Sequence, residues 1–543
     1  MQRKEIKMIR ISQLKLPVGH SEEDLKKKIL KTLRILEQQL GHYEIIKQSI
    51  DARKKPELFY VYTVDVKTDK EKQILKKNKS SQIAFVEKTQ YQFPAKGTGL
   101  MKHRPVIVGS GPAGLFCAYM LAVNGYRPIL IERGAPVEQR MKDVDEFWET
   151  GRLNLTSNVQ FGEGGAGTFS DGKLNTLVKD PIGRNKKVLE IFTEHGAPEE
   201  ILYVNKPHIG TDVLTEVVKN IREDIRSHGG EVRFYCQMED LCIKDGKVTG
   251  IKVSYKDGSC LQETIVTDHV ILAIGHSARD TFEMLYKKEI PMSAKSFAVG
   301  VRVEHPQTMI NYSQYGKEHL EQLSAAAYKV AVQLENGRGV YSFCMCPGGY
   351  VVNASSEENR LAINGMSYHD RGGENANSAI IVTVNPEDFG SEHPLAGMFY
   401  QRKLEEKAFQ IGNGKIPVQR FGDFCKNESS SQIGSVHPQM KGNYKLANVR
   451  SVFSEELAQS IEDGIKKLNN KIHGFSQEDT LLSAVESRTS SPIRIVRDGQ
   501  YESVIQGLFP CGEGAGYAGG ITSAAMDGMK VAERIAKSYM PFD

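Results

Sequence analysis

The most regular hydrophobic pattern in the chain begins at residue 105. An apolar run, Val106–Val108, is followed by a glycine-rich turn, an apolar stretch over residues 115–121 and a second apolar run, Ile129–Ile131. Short apolar runs bounded by turn residues are typical of strands buried on both faces, and the stretch between them is long enough for a helix. The pattern therefore predicts a strand, a helix and a second, parallel strand.

The turn between the first strand and the helix has the spacing that a dinucleotide requires. Gly109 permits a tight turn, Gly111 lets backbone amides approach a diphosphate, and Gly114 lets the helix lie close to the strand. The second strand ends in Glu132, eighteen positions after Gly114, and a carboxylate there accepts hydrogen bonds from ribose hydroxyls. We therefore expect a nucleotide site that includes Gly109, Gly111, Pro112, Ala113, Gly114, Glu132 and Arg133.

Three later segments favour FAD over NAD as this nucleotide. Residues 507–513 form a short apolar run that ends in Gly512 and Glu513, and a helix rich in alanine follows Gly520. Flavoproteins of the glutathione-reductase type have a similar glycine–acid pair beside the ribityl chain, and this resemblance gives Glu513 that role. The positive end of the following helix would stabilise a reduced, anionic flavin ring. The strand and turn over residues 268–278 resemble the strand by which such proteins return to the nucleotide fold. Together with the strands after residue 235, these segments supply the predicted FAD contacts: Met238, Gly275, His276, Gly512, Glu513, Gly519, Gly520 and Ile521.

The remaining pattern predicts an α/β chain of several domains, since 543 residues exceed one ordinary core. Alternating strands and a capped helix indicate a small α+β module, ferredoxin-like in order, over residues 1–95. The nucleotide pattern predicts a Rossmann-like FAD domain of the glutathione-reductase type over residues 101–297, which resumes at 481–543. Residues 298–480 are predicted to form an inserted α+β domain that faces the substrate.

Composition narrows the class of protein. The chain is 40% hydrophobic and 25% charged, which is typical of globular proteins, and it has no run of eighteen apolar residues and no apolar signal core at its start. We therefore expect a cytoplasmic protein without membrane contact. Residues 1–100 carry 22 basic and 12 acidic side chains. Such a basic surplus either binds nucleic acid or lies on a solvent-exposed face, and we favour the second interpretation. No cysteine or histidine group has zinc or iron–sulfur spacing, and no oligomeric state is predicted.

Several motifs together resemble one family. They are residues 49–55 (SIDARKK), 161–174 (FGEGGAGTFSDGKL), 206–212 (KPHIGTD), 302–307 (RVEHPQ), 343–350 (FCMCPGGY) and 486–494 (ESRTSSPIR). The chain is similar to a poorly characterised bacterial family called FAD-dependent dehydrogenases, also described as NAD(P)/FAD-dependent oxidoreductases. The resemblance spans nearly the whole chain and implies a fold and a cofactor, but no particular substrate.

Candidate catalytic and substrate groups lie in these motifs. The glycine-rich loop over residues 162–173 suits a flat ring system, and its predicted cofactor contacts are Gly165, Ala166, Gly167, Thr168, Ser170 and Lys173. Lys173 is the predicted cation beside the flavin, and His305 is the preferred proton donor among four candidate histidines. Arg488 and Arg494 bracket a hydroxyl-rich turn suited to a substrate carboxylate or phosphate, and Gly348 and Gly349 would leave room for a ligand.

Two cysteines two positions apart, Cys344 and Cys346, would share one face of a strand. Because adjacent same-face thiols on one strand form strained bridges, we interpret them as packing residues rather than a redox pair.

These features predict an FAD-dependent oxidoreductase that transfers hydride between a small organic substrate and noncovalently bound FAD. Between residues 180 and 480 no second glycine fingerprint is found, which argues against a separate NAD(P)H domain. Electrons would then come from the substrate, from NAD(P)H bound as a transient donor in the general cleft, or from a protein donor. One alternative is a flavin monooxygenase. Another is a flavin-bearing redox sensor or nucleic-acid-binding protein that uses its basic N-terminal module.

Overall fold

The computed structural model describes residues 7–78, 80–87, 90–259, 261–319 and 321–542. Its first elements are β1 (Lys7–Pro17), α1 (Glu22–Leu33), β2 (His42–Lys54), β3 (Glu57–Lys67), α2 (Glu71–Lys77) and β4 (Ile83–Glu87). The four strands form an antiparallel sheet in the order β2, β3, β1, β4, which is the order of a ferredoxin-like split βαβ unit. The sequence pattern extends helix α1 to residue 40, but the helix ends at Leu33. It ends there because Arg34 adopts the left-handed conformation, with φ +56°.

A second group of elements follows the glycine-rich turn. It comprises β5 (Val106–Val108), α3 (Pro112–Ala122), β6 (Ile129–Ile131), α4 (Val137–Thr150), α5 (Arg184–Glu194), α6 (Thr211–Ser227), β7 (Glu231–Arg233), β8 (Cys236–Lys244), β9 (Lys247–Tyr255), β10 (Gln262–Val266), β11 (Val270–Leu272), α7 (Arg279–Lys287) and β12 (Met292–Ala294). Strands β8, β9 and β10 form an antiparallel meander.

The third group carries the largest sheet. Its elements are β13 (Phe297–Pro306), α8 (Gln307–Tyr315), β14 (Ala331–Gln333), β15 (Gly339–Cys346), β16 (Tyr350–Asn353), β17 (Ile363–Met366), β18 (Asn375–Val384), α9 (Pro386–Phe389), α10 (Ala396–Gly412), β19 (Ile416–Arg420), α11 (Phe421–Lys426), β20 (Met440–Lys441), β21 (Tyr444–Leu446), α12 (Glu455–Leu468), β22 (Leu481–Glu486) and β23 (Ile493–Ile495). The chain closes with β24 (Leu508–Pro510) and α13 (Ile521–Ser538).

Two sheets dominate the fold. A five-stranded parallel sheet has the order β24, β11, β5, β6, β7, so the last strand of the chain lies in the same sheet as the first strand of the nucleotide pattern. A seven-stranded mixed sheet has the order β14, β15, β18, β13, β22, β19, β21. Strand β22, which the predicted boundary at residue 480 assigns to the nucleotide domain, pairs here with β13 and β19.

Helix α3 occupies the centre of the core on the parallel sheet. It is apolar all round, and ten of its eleven residues are buried, because α13 and α6 cover it together with the sheet. The contact with α13 depends on Gly528, where a Cβ atom would lie 2.0 Å from the carbonyl oxygen of Ala113. This close approach packs the middle of α13 against the first turn of α3. Across the described ranges, no helix combines the length and apolar character needed to cross a membrane.

Candidate functional site

A cavity of about 1300 Å³ lies where the parallel sheet, the seven-stranded sheet and the N-terminal module meet. Pockets for drug-sized ligands usually measure about 300–1,000 Å³. The cavity is therefore large enough for a dinucleotide-sized ligand and a second, smaller molecule.

Glycines and helix ends form one side of this cavity, which we call the nucleotide wall. Gly109 turns the chain out of β5 with φ +100°, and Gly111 caps the N-terminus of α3. A Cβ at Gly114 would lie 1.8 Å from the Gly109 carbonyl oxygen, so helix and turn require glycine there, whereas a Cβ at Gly111 would meet only Gly165 Cα at 3.9 Å. The residues of the nucleotide wall are Gly109, Gly111, Pro112, Ala113, Gly275, Gly519, Gly520 and Ile521.

Glu132 lines the cavity at the end of β6, but its carboxylate is already occupied. One oxygen accepts from the backbone N–H and the hydroxyl of Ser110, at 2.9 and 2.8 Å. The other accepts from the backbone N–H groups of Gly134 and Gly162, both at 3.0 Å. A carboxylate offers about four acceptor sites, so a ribose hydroxyl would have to replace the Ser110 hydroxyl. Arg133 also lines the cavity, and it donates to both carboxylate oxygens of Asp280 at 3.0 Å.

The glycine-rich loop crosses the cavity in front of α3. The fully buried Arg140 holds the loop from behind by donating to the carbonyls of Asn158, Val159, Glu163 and Gly165 at 2.6–2.9 Å. Gly165, Ala166, Gly167 and Ser170 line the cavity, as the sequence pattern requires of them. Thr168 does not, because its side chain is buried beneath the loop, and the predicted contact of this hydroxyl with the cofactor is wrong.

The two other predicted nucleotide segments reach the same cavity. Gly275 and His276 follow β11, and Glu513 follows β24, so the parallel strands bring them side by side. His276 Nδ1 lies 3.1 Å from Glu513 Oε1, while His276 Nε2 is buried without a hydrogen-bond partner. Met238 lines the cavity from the meander. Gly114 and Gly512 lie just behind the wall, where Gly512 donates to Asp527 and a Cβ would lie 2.6 Å from Ala113 Cβ.

These features fit a bound dinucleotide. The N-termini of α3 and α13 both open into the cavity, and such ends stabilise phosphate and other negative charge. A Cβ at Gly275, Gly519 or Gly520 would meet no atom within 4 Å, so these glycines face open space. The unpartnered His276 Nε2 offers one further polar contact to a ligand in that space.

Charged side chains and a thiol line another part of the cavity, which we call the cationic wall: Lys173, Cys344, Arg371 and Glu486. Lys173 donates to the Met345 carbonyl and lies 3.0 Å from Asp171 Oδ2, and Arg371 Nε donates to the other oxygen of Asp171 at 3.0 Å. Burial opposes the charge on Asp171, yet Lys173 and Arg371 hold its pKa at about 2. Burial also opposes the charge on Lys173, but Asp171 and the two cysteines raise its pKa above the ordinary value. The lysine is therefore a permanent cation at the cavity surface.

Cys344 lies beside this lysine in a distorted part of β15. Its backbone has φ +42°, and the pairing of β15 with β18 shifts register between Phe343 and Cys346. The fully buried Arg302 donates to the Cys344 carbonyl at 3.1 Å and to Glu486 at 2.9 Å. The two thiols therefore do not sit on a regular strand, where the sequence pattern placed them.

The N-terminal module supplies the third side of the cavity. Gln48, Ser49, Ile50, Ala52 and Tyr60 line it. The module is joined to the rest of the chain by two backbone hydrogen bonds of 2.8 Å, from Gln48 N–H to the Tyr203 carbonyl and from Asn205 N–H to the Gln48 carbonyl. In its basic turn, Arg53 pairs with Asp51 at 2.8 Å, and Lys55 donates to the Ser313 carbonyl. The module thus contributes directly to the site.

His305, the predicted proton donor, is placed away from the cavity. Its ring is buried against Phe475, with ring centres 4.4 Å apart, and Nε2 lies 2.9 Å from the Phe475 carbonyl oxygen. Burial lowers the pKa of His305 to about 4. The structure contradicts a catalytic role because β13 carries the side chain into the core. The histidine that does face the cavity beside Asp171 and Arg371 is His208, whose pKa burial lowers to about 4.

The predicted substrate residues also need correction. Arg488 lines the cavity, but it donates to both oxygens of the fully buried Glu405, at 2.9 and 2.8 Å, and to the hydroxyls of Ser277 and Ser356. Its charge is neutralised and its donors are engaged, so it does not present a free anion site. Arg494 is exposed on β23 and does not line the cavity, since alternate side chains of that strand point outward.

Gly348 and Gly349 do not leave room for a ligand. A Cβ at Gly348 would lie 1.8 Å from the Arg371 carbonyl oxygen, and one at Gly349 would lie 2.4 Å from that of Met366. Both glycines instead allow close backbone packing, which fixes Arg371 in the cationic wall.

Comparisons with known proteins agree on a family. Residues 296–489 match a family profile described as "FAD-dependent protein, C-terminal domain-like", and residues 8–67 match a domain of unknown function, DUF8436. An uncharacterized protein of Clostridium beijerinckii is 48% identical over 536 residues, which cover 98% of this chain and 99% of that protein. The chain belongs to the FAD-dependent protein family. Its cofactor is FAD, as the sequence resemblance implied.

This FAD-dependent protein also resembles solved structures, but distantly. Quinol fumarate reductase from E. coli matches with 12% identity and a TM-score of 0.37, over 81% of this chain and 70% of that one. Glycerol-3-phosphate dehydrogenase from Bacillus halodurans, complexed with FAD, matches with 11% identity and a TM-score of 0.27, over 52% and 48%. At these values neither structure defines a reaction for this chain.

Sequence reasoning missed most of the cationic wall and its support. Arg140, Arg302, Arg371 and Glu486 come from four separate segments and were assigned no role. The only local signal was the cysteine pair in the segment FCMCPGGY, together with lysine in the glycine-rich loop. Within the described residues, no group of three or more ligating side chains is placed to hold a metal ion.

Proposed function

We propose that this protein is an oxidoreductase that transfers hydride between a small organic substrate and noncovalently bound FAD. The observation that carries the proposal is the continuous cavity. Its nucleotide wall suits a diphosphate, and its cationic wall contains the positively charged Lys173. Its volume of about 1300 Å³ exceeds the usual range for one drug-sized ligand and accommodates a substrate beside the cofactor.

The arrangement proposed for FAD is that of the glutathione-reductase type. The N-terminus of α3 and the turn at Gly109 and Gly111 would hold the diphosphate, and Glu132 would hold the adenosine ribose in place of the Ser110 hydroxyl. Glu513, oriented by His276, would hold the ribityl chain, and the N-terminus of α13 would face the ring. The strand order of the parallel sheet supports this assignment because it places all four segments at one edge.

When bound, FAD supplies an acceptor or donor of a hydride. The chain supplies the environment. Lys173, fixed by Asp171 and the Met345 carbonyl, holds a positive charge where negative charge develops on reduction. His208 stays neutral near pH 7, because burial and Arg371 lower its pKa. It therefore adds no positive charge to the site and would act by orienting a ligand.

The N-terminal module is proposed to close the substrate side of the cavity through Gln48, Ile50 and Tyr60. Its contact with the cavity favours this role over nucleic-acid binding. A nicotinamide cofactor acting as transient donor and a cytoplasmic location remain predictions.

Anaerobic flavin reduction tests the proposal. Purified holoprotein is mixed with NADH, NADPH and a panel of hydroxy acids, quinols and saturated acids, and bleaching of the flavin absorbance is followed. We expect reduction by at least one donor, with a primary isotope effect when the transferred hydrogen is deuterium, and reoxidation by a small organic acceptor.

Two variants distinguish the role of the cationic wall. Lys173→Met is expected to slow reduction by about 100-fold, in the range for loss of one preorganised electrostatic group, whereas Gly499→Ala, on an exposed loop, leaves the rate unchanged. If no donor or acceptor alters the flavin spectrum, the oxidoreductase proposal fails. If oxygen is consumed and a hydroxylated product forms, the protein is a monooxygenase and the hydride proposal is replaced.

A further inference from the structure

The segment Cys344, Met345, Cys346 carries two thiols at the cavity that the proposed hydride transfer does not use. Cys344 is half-buried and lines the cavity, whereas Cys346 is fully buried directly behind it. Cys346 Sγ lies 3.3 Å from the Cys344 carbonyl oxygen. One thiol is therefore accessible to a ligand, and the second lies against the backbone of the same residue and is shielded from solvent.

The backbone at this point is strained and fixed. The φ of Cys344, +42°, is sterically unfavourable for a residue other than glycine, and such outliers persist where the surroundings hold them. Lys173 holds the Met345 carbonyl and Arg302 holds the Cys344 carbonyl. The register shift after Phe343 removes the alternation of a regular strand and with it the objection that two same-face thiols cannot bridge without strain.

Charges around the thiols favour a thiolate at Cys344. The neighbouring Cys346 thiol and the positive charges of Lys173 and Arg302 lower the pKa of Cys344 below its usual range, although burial opposes the charge. Burial and the neighbouring thiolate raise the pKa of Cys346 well above its usual range. The charged groups that face the pair are Lys173, Arg302, Asp171 and Glu486, of which the two acids are each paired with a cation.

We propose that Cys344 and Cys346 form a dithiol redox centre that reduces a low-molecular-weight disulfide entering the cavity. Cys344 is the attacking thiol, and Cys346 is the resolving thiol. The proposal goes beyond the hydride transfer and does not depend on it, because neither step involves FAD.

The chemistry balances in two steps. The Cys344 thiolate attacks one sulfur of the substrate disulfide, the substrate S–S bond breaks, and the departing thiolate takes a proton from solvent. Cys346 then attacks Cys344 Sγ and expels the second substrate sulfur, which receives the Cys346 proton. Two protein thiols lose two electrons to become one disulfide, and one substrate disulfide becomes two thiols.

Reduced, desalted holoprotein and the probe 4,4′-dithiodipyridine test the proposal. We expect a fast phase that releases two thiopyridone molecules per chain, a protein mass lower by two hydrogens, and a peptide cross-linked between Cys344 and Cys346. In Cys346→Ser the fast phase should release one molecule and leave a stable adduct on Cys344. Cys344→Ser should lose the fast phase, and the control Cys425→Ser should keep it.

The pH profile separates a reactive thiolate from an accessible thiol. An ordinary thiol reacts about tenfold faster for each pH unit up to about pH 8.5, whereas the fast phase at Cys344 should be nearly flat from pH 6 to 9. In Lys173→Met the profile should regain a slope, and Lys173→Arg should restore much of the flat profile.

Either of two results with the wild-type chain would overturn the proposal without any variant. A stable adduct on Cys344 with no loss of two hydrogens would show that Cys346 does not resolve it. Modification of another cysteine ahead of Cys344 would show that Cys344 is not the attacking group. Neither result would affect the anaerobic reduction of the flavin, so this proposal and the hydride proposal fail separately.

Discussion

The nucleotide wall presents glycines and helix ends to the cavity, whereas the cationic wall presents side chains from distant segments. Gly111 and Gly520 act by leaving space, and a Cβ at either position would enter the cavity with no atom closer than 3.9 Å. Lys173 and Arg371 act through charge, and each is held by Asp171. The nucleotide wall therefore depends on the absence of side chains. The cationic wall depends on ion pairs between residues that are far apart in the sequence.

The largest expected effect is on the buried ion-pair network of Glu405, which holds Arg488 of the cavity lining. Glu405 is fully buried and accepts from both Arg279 and Arg488, so Glu405→Gln would leave two buried guanidinium groups under-neutralised. Removing one partner of a buried ion pair costs about 3–5 kcal/mol. We expect that loss in the free energy of unfolding measured by denaturant, while the neighbouring control Glu406→Gln, half-exposed beside Arg360, changes it by less than about 1 kcal/mol.

The same variant has a defined pH dependence. Although burial opposes its charge, Arg279 and Arg488 hold the pKa of Glu405 well below its ordinary value, so its contribution is present above the unfolded pKa of about 4.3 and is lost as the pH falls further. The stability difference between wild type and Glu405→Gln should therefore shrink on acidification below about pH 4. A difference that is constant or grows there would contradict the ionised network.

The second-largest effect is expected in the nucleotide wall, where a variant can reduce the space for FAD without destabilising the fold. Gly111 has φ −67°, which alanine adopts without strain, and the added methyl group would project into the cavity. Overpacking of this kind costs about 1–3 kcal/mol, so FAD should bind about 10- to 100-fold more weakly to Gly111→Ala in a titration of the apoprotein. Gly499→Ala should bind FAD like wild type. A lower free energy of unfolding in Gly111→Ala with an unchanged affinity for FAD would mean that glycine in this turn is needed for the fold rather than for the cofactor.

The contrast between the walls also explains what the sequence could predict. The strand, turn and helix from Val106 to Ala122 are encoded within a few residues, and the pattern located Gly109, Gly111, Gly275 and Gly520, all of which reach the cavity. His305 and Arg494 were misplaced because strand registers decide which side chains face inward. The partnership of Lys173, Asp171 and Arg371 joins positions about 200 residues apart, and no local pattern reveals it.

A smaller effect is expected when the charge of the cationic wall is removed next to the cofactor. Lys173→Met should lower the midpoint potential of bound FAD by about 30 mV, which corresponds to ~1.4 kcal/mol for a two-electron couple, because the reduced form loses a nearby cation. Lys173→Arg keeps the charge and should stay close to wild type in an equilibrium titration with a reference dye. An unchanged potential in Lys173→Met would place the ring away from this wall.

The smallest effect is expected at Arg494. Its side chain is exposed outside the cavity, so Arg494→Ala should alter unfolding by less than about 0.5 kcal/mol and leave flavin reduction unchanged. A large loss of substrate turnover in this variant would show that substrate approaches from β23, and the division of the cavity into two walls would need revision.

A structure of the chain with FAD bound tests the central claim most directly. We expect the diphosphate against Gly109, Gly111 and the N-terminus of α3, the ribityl chain beside Glu513, and the ring between the N-terminus of α13 and Lys173. Density for the diphosphate elsewhere, or a ring that turns away from both Lys173 and α13, would contradict it.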